Sequence, residues 1–322
     1  MAAPASEGYK PEWLEIEKAL GTRPIFSGTL QEMTESYDSL AAALTAQAGP
    51  PDASVETRDT NTSSGIPVRI YTPSHSLSKP LPLGVYFHGG GWVLGALDSE
   101  DSWCRYIAKN TPCIIVSVEY RLAPKCKMPT MLEDCIAGFE WARQEASSLN
   151  ADQSRVFTIG SSVGGGIALA VADAMIAKGN ASHVQGIVSI VPVTAHPSSI
   201  PEAYKQHYTA YEENKSGVPI IDASSMDTFF EAAGVDFQDP RAFPTLSKNL
   251  ASFPSTYICT CAKDPLRDDG EVMEMMLKDK GVKTKRDHYE GVPHYFWMFP
   301  GIKGGEEVLA NVCEGVRFVL GA

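Results

Sequence analysis

RVFTIGSSVGGGIALA (residues 155–170) decides how the rest of the chain is read. An apolar run of strand character meets two adjacent serines and a glycine cluster, and a segment of helical character follows. A sharp strand-to-helix turn brings neighbouring backbone too close for a Cβ, so the serine at its apex needs glycine two residues before and two after. Centred on Ser162 the frame is Gly160-Ser161-Ser162-Val163-Gly164, which fits. Centred on Ser161 the glycine positions would hold Ile159 and Val163, both β-branched. Ser162 is therefore the candidate nucleophile, at the carboxyl end of a strand.

The same alternation extends in both directions. VRIYT (68–72), LGVYFH (83–88), CIIVSVEY (113–120), VQGIVSIVPV (184–193), TYICTCA (256–262) and VKTKRDHY (282–289) read as further strands. Helices are predicted over 130–146, 163–178, 268–280 and 303–319, which implies βαβ units and a mostly parallel sheet. Asp268 reads as the cap of the third of these helices, with Gly281 just past its end. Near the start, Leu30, Met33, Tyr37, Leu40 and Leu44 form one helical stripe after a shorter helix carrying Trp13, Leu14, Ile16 and Leu20; AGPP (48–51) ends this region. Residues 196–237 break the alternation and read as helices inserted between strands. With residues 1–50 they are expected to cap an α/β core made of 51–195 and 238–322.

Composition narrows the function. A chain of 322 residues with 43% hydrophobic content can bury a large core. Its net charge of −12 opposes binding to nucleic acid or anionic lipid. Without a basic and apolar leader or a membrane-length apolar run, the expectation is a cytoplasmic protein. The seven cysteines are scattered, with no zinc-type spacing, and read as reduced thiols, so no metal is expected. Asn61, Asn180 and Asn214 start glycosylation-like triplets that polar loops produce by chance. Neither glycine cluster has a dinucleotide or phosphate-loop pattern, and no cofactor is expected.

The second chemical signal is His88-Gly89-Gly90-Gly91, ending a strand about seventy residues before the serine. Glycine amides here can point at a developing oxyanion, so Gly90 and Gly91 join the amide of Val163 as candidate donors. His88 reads as a loop anchor. A serine needs a histidine to take its proton and a carboxylate to orient that histidine, in the chain order Ser, acid, His. Asp264 follows a late strand and is the candidate acid, with Asp268 and Asp269 nearby at a helix start. His294 lies on the loop after the last predicted strand and is the candidate base. His288 belongs to that strand, and His75, His183, His196 and His207 read as surface or cap residues. Trp92, Phe229, Phe230, Phe296 and Trp297 are aromatic candidates for lining the cleft.

Together HGGGW, VEYRLAPK (118–125) with PTMLEDC behind it, GSSVGG, DPRAFPTL (239–246), DPLRDDG and GVPHYF resemble the hormone-sensitive lipase-like family of α/β-hydrolases, from about residue 55 onward. The resemblance implies an eight-stranded, mostly parallel sheet with a helical cap inserted after the sixth strand. It implies a metal-free serine carboxylesterase acting on small or medium acyl esters, and acetyl esterases of fungal secondary metabolism in the family suggest a metabolite ester. A homodimer paired through the last strand or its neighbouring helix is a further family expectation. The family usually carries G-D-S-A-G, whereas this chain has Ser161 and Val163, which bears on specificity. Two other functions belong to the same fold: a lyase of biosynthesis, and a small-molecule binding protein that has lost the histidine. His294 argues against the second.

Overall fold

A computed structural model describes residues 8–47, 49–74, 79–299 and 301–321. His75, Ala48 of the helix-ending stretch, and the first seven residues of the expected cap lie outside these. In chain order the strands are β1 (Val55–Asn61), β2 (Pro67–Pro73), β3 (Leu81–Phe87), β4 (Ile114–Val118), β5 (Ala151–Ser161), β6 (Gly186–Ile190), β7 (Ser255–Lys263) and β8 (Thr284–Pro293). They form one sheet in the order β1-β2-β4-β3-β5-β6-β7-β8. The β1–β2 and β2–β4 pairs are antiparallel and the others parallel. The carboxyl ends of β3 and β5 to β8 therefore share one edge of the sheet, where α/β proteins place their chemistry.

Nine α-helices occur among the described residues: α1 (Pro11–Leu20), α2 (Leu30–Gln47), α3 (Asp101–Asn110), α4 (Thr130–Gln144), α5 (Val163–Ala177), α6 (Ala210–Glu213), α7 (Ala223–Ala233), α8 (Arg267–Asp279) and α9 (Lys303–Leu320). The alternation of side chains along β7 shows how they divide between the faces. Tyr257 meets Gly315 of α9, while Ile258 and Thr260 meet Gly270 of α8 on the other side. Helices α3 and α9 contact each other, as do α4 and α5. Both faces of the central strands are thus covered, and β4 and β6 are buried along their whole length.

The helices predicted over 130–146, 163–178, 268–280 and 303–319 form within two residues of those bounds. Sequence pattern misses β1 and α3. Strand β1, VETRDTN, lies at the sheet edge with only Val55 buried, so it shows no apolar alternation to detect. Helix α3 is short, although Trp103, Cys104, Ile107 and Ala108 do bury one stripe. Asp268 is not the α8 cap: the helix starts after Leu266 without a side-chain cap, and Asp268 instead accepts the N–H groups of Thr209 and Ala210, each at 2.6 Å.

The two segments expected to act together, one N-terminal and one inserted after β6, are joined directly. Ile25 bridges Ile220, with Phe26 N donating to the Ile220 carbonyl at 2.9 Å and Ile220 N to the Pro24 carbonyl at 2.6 Å. Asp222 and Ser225 form a capping box that starts α7. Among the described residues no helix is long and apolar enough to cross a membrane.

Candidate active site

Ser162 stands between β5 and α5 at φ 55° and ψ −124°, a conformation that a non-glycine residue adopts only when its surroundings impose it. The imposition is visible. Ser162 N donates to the Ile190 carbonyl of β6 at 2.8 Å, and the Ser162 carbonyl accepts from Gly165 and Val193. A Cβ on Gly160 would lie 2.3 Å from the Gly164 carbonyl oxygen, and one on Gly164 would lie 2.0 Å from the Phe87 carbonyl oxygen. Both glycines of the frame are therefore required by backbone contact, as the sequence spacing demands.

Asp264 follows β7 and is fully buried. Its Oδ2 lies 2.6 Å from His294 Nδ1, and its Oδ1 accepts the Leu266 N–H at 2.8 Å. The carboxylate is thus held from one side by the turn into α8 and presents its other oxygen to the imidazole. With Nδ1 donating to Asp264, the neutral ring leaves Nε2 as an acceptor. His294 follows β8 and is 2% exposed; Ser162 is 4% exposed. Among the described residues the Ser162 hydroxyl makes no hydrogen bond, a common state of catalytic groups before substrate arrives.

The glycine loop after β3 is shaped by its own close contacts. Gly90, at φ 113°, packs against the Leu94 carbonyl, and Gly91, at φ 64°, lies beneath the Phe229 ring. The Gly90 carbonyl accepts from Val93 and Leu94, which closes the turn and leaves the Gly90 and Gly91 N–H groups without an acceptor among the described residues. Val163 is the first residue of α5, so its N–H is one of the helix-end donors with no intrahelical partner. These three donors belong to the two turns, after β3 and after β5, that meet where Gly164 packs on Phe87 and His88.

His88 is an anchor. Its ring stacks on Tyr120 at 4.3 Å, the Tyr120 hydroxyl donates to the His88 carbonyl at 2.8 Å, and His88 Nδ1 lies 2.7 Å from the Gly89 carbonyl. This gives the VEYRLAPK stretch a structural task, reinforced by Arg121 gripping Asp134 through two nitrogens at 2.7 Å. Among the described residues His88 Nε2 is buried without a partner. Burial accordingly pushes its pKa down to about 4. The unfolded chain binds a proton at about 6.5 that the folded chain refuses until about 4, so this contribution to stability is complete above pH 6.5 and is lost as pH falls toward 4. Its full span is on the order of 3 kcal/mol. We expect the melting temperature of His88→Gln to fall less steeply than that of the parent between pH 6.5 and 4.5. Parallel profiles in calorimetry would contradict this account of His88.

The aromatic candidates divide. Trp92, Phe229 and Phe230 come together at the glycine loop, with Phe229 over Gly91 and Phe230 5.9 Å from Trp92. Phe296 and Trp297 do not join them: Phe296 packs on Tyr289 and Gly304, and Trp297 on Trp103 and Tyr295. Their expected role in the cleft is not what these contacts describe. The chain turns through a left-handed Tyr295, φ 56°, into a single 3-10 turn that carries both rings into the core. His288, as expected for a strand residue, pairs sideways with Thr260 at 2.8 Å.

Three tethers from the inserted segment reach the turn after β7 and the first turn of α8, none of them evident from sequence. Asn214 Nδ2 donates to the Asp264 carbonyl at 3.3 Å, and the Tyr208 hydroxyl donates to Asp269 at 2.7 Å. Asp268 holds the backbone of Thr209 and Ala210. Asp269 also accepts the N–H groups of Thr194 and Ala195, while its complete burial pushes its pKa up to about 8.

Residues 84–298 match a family described by the alpha/beta hydrolase fold. The chain belongs to this α/β-hydrolase family. A versiconal hemiacetal acetate esterase of Dothistroma septosporum is 41% identical over 318 residues, covering 97% of this hydrolase and 95% of the relative. Among solved structures, vibralactone cyclase superposes with a TM-score of 0.87 at 28% identity, over 100% of this chain and 97% of that one. A hyperthermophilic esterase from the archaeon Pyrobaculum calidifontis superposes at 0.83 and 28% identity, covering 96% of this hydrolase and 98% of the neighbour.

Proposed function

We propose that this carboxylic ester hydrolase works through an acyl-enzyme on Ser162 and that its substrate is a short acyl ester, foremost the acetyl ester of a secondary metabolite. The observation that carries the reading is the short Asp264–His294 contact at the same sheet edge as a strained Ser162, with the Gly90, Gly91 and Val163 N–H groups without acceptors among the described residues. In the first half-reaction Ser162 Oγ attacks the ester carbonyl and His294 Nε2 takes its proton. The three N–H groups stabilise the oxyanion, and His294 returns the proton to the departing alcohol. In the second, His294 deprotonates a water that attacks the acyl-serine, and Ser162 regains its proton. Asp264 steadies the imidazolium that forms in each half.

An acetyl preference is supported by enclosure and by kinship. Ser162 and His294 are almost wholly buried, Val163 is completely buried, and Phe229 roofs Gly91. The relative named above acts, by its name, on an acetate. Residues 196–237 and the N-terminal helices read as a cap, supported by their mutual bridge and by the Asn214, Tyr208 and Asp268 tethers. The seven cysteines are all free thiols, in keeping with a cytoplasmic setting. A lyase is not favoured by these relatives, and a non-catalytic binding role does not account for the Asp264–His294 pair.

The test is a p-nitrophenyl ester series from acetate to decanoate. We expect kcat/KM to be greatest at acetate or butyrate and to fall by on the order of tenfold or more by octanoate. A maximum at octanoate or beyond would overturn the short-acyl reading.

A further inference from the structure

A buried carboxylate that takes no part in the triad lies directly behind it. Glu100 sits just before α3 and is 5% exposed. Its two oxygens accept from the Ser161 hydroxyl at 2.8 and 2.9 Å, from the Tyr86 hydroxyl at 2.6 Å, and from the Tyr295 hydroxyl; the Gly89 N–H adds a long contact at 3.4 Å. The Tyr295 hydroxyl also lies 2.5 Å from Ser161 Oγ. All four neighbours are donors, which matches the acceptor capacity of an ionised carboxylate. Burial and these donors act on it in opposite senses, and burial is the larger influence, raising its pKa.

The sequence positions of the donors give the cluster its meaning. Gly89 precedes Gly90 and Gly91, Ser161 precedes Ser162, and Tyr295 follows His294. One carboxylate therefore holds the chain neighbours of Gly90, Ser162 and His294, one from each of the three loops that the proposed reaction needs. Tyr295 is also the residue whose left-handed backbone turns the histidine loop, so its hydroxyl fixes a conformation that the backbone alone disfavours. Ser161 stands where the resembling family usually has an acid. An aspartate there would face Glu100 at hydrogen-bond distance, and two carboxylates so close cannot both ionise without a large penalty.

We infer that Glu100 is a positioning residue, which supplies from the residue before α3 the anchoring carboxylate that the frame lacks at 161 and holds the oxyanion loop, nucleophile turn and histidine loop in register. The inference rests on the proposed acyl-enzyme reading. Loss of the anchor leaves substrate binding nearly intact but misplaces reacting groups, where a shift of about 1 Å costs on the order of 100-fold.

The experiment measures kcat and KM for p-nitrophenyl acetate, with active sites counted by a sulfonyl fluoride that labels the parent. Glu100→Ala is expected to lower kcat per labelled site by about 100-fold, and Glu100→Gln and Tyr295→Phe by about 10-fold, with KM within about 2-fold. The aromatic replacement preserves packing and keeps the test usable should Glu100→Ala fold poorly. Ser161→Asp alone is expected to lose activity, and Ser161→Asp combined with Glu100→Gln to regain most of it. A kcat per labelled site unchanged in Glu100→Gln and Tyr295→Phe, or a double variant no better than Glu100→Gln, would overturn the inference. A parent that takes no label would instead overturn the acyl-enzyme reading.

Discussion

Ser162→Ala is expected to lower kcat/KM for p-nitrophenyl acetate by on the order of 10⁴ to 10⁶ while leaving the thermal transition within a few degrees of the parent. The rate loss follows because the substitution removes the hydroxyl that the proposed reaction uses as nucleophile. Ser161, the adjacent serine, is occupied by Glu100 and by the Tyr86 and Tyr295 hydroxyls. Stability is expected to survive because the turn is held by the Ser162 backbone, through Ile190, Gly165 and Val193, and not by its hydroxyl. Alanine must still adopt φ 55°, which serine already tolerates there. Steady-state kinetics with calorimetry checks both halves, and retained turnover would remove Ser162 from the mechanism.

Asp264→Asn is expected to cost about 10⁴ in kcat through a tautomer change. The 2.6 Å contact makes Nδ1 the protonated nitrogen and leaves Nε2 the acceptor that the proposed reaction needs as a base. Asparagine can keep the Leu266 N–H bond through its oxygen, the bond now made by Oδ1. Its amide nitrogen then points at His294 and donates, Nδ1 becomes the acceptor, and the ring proton moves to Nε2. A ring protonated at Nε2 cannot accept the serine proton. Because the asparagine fills the same volume, the fold should persist and KM should change little. A loss of less than about tenfold in kcat would show that Asp264 does not set the tautomer.

The parts of this site that sequence reveals are those fixed by local geometry or by chain order. Gly160 and Gly164 are legible because a Cβ at either collides with backbone, and this demand survives any change of neighbours. Asp264 and His294 are legible because parallel strands bring the ends of β7 and β8 to the edge where β5 ends. Glu100 is not legible: its partners at 86, 89, 161 and 295 come from four separate turns and strands, and only the folded sheet brings them together. The packing of Phe296 and Trp297 is not legible either. Adjacency to His294 in the chain suggests the cleft, but after the left-handed Tyr295 the two rings are buried against Tyr289, Gly304 and Trp103. Strand β1 escapes notice because an edge strand held by backbone pairing needs no apolar face.

The central claim is that catalysis passes through an ester of Ser162. Acid-quenching the enzyme during turnover of p-nitrophenyl acetate, followed by digestion and mass spectrometry, tests it most directly. The account predicts one acetyl group on the peptide carrying Ser161 and Ser162, located by fragmentation to Ser162 and absent from both Ser162→Ala and His294→Ala. An acetyl group on Ser161 or elsewhere, or one on Ser162 that forms as fast without His294, would contradict it.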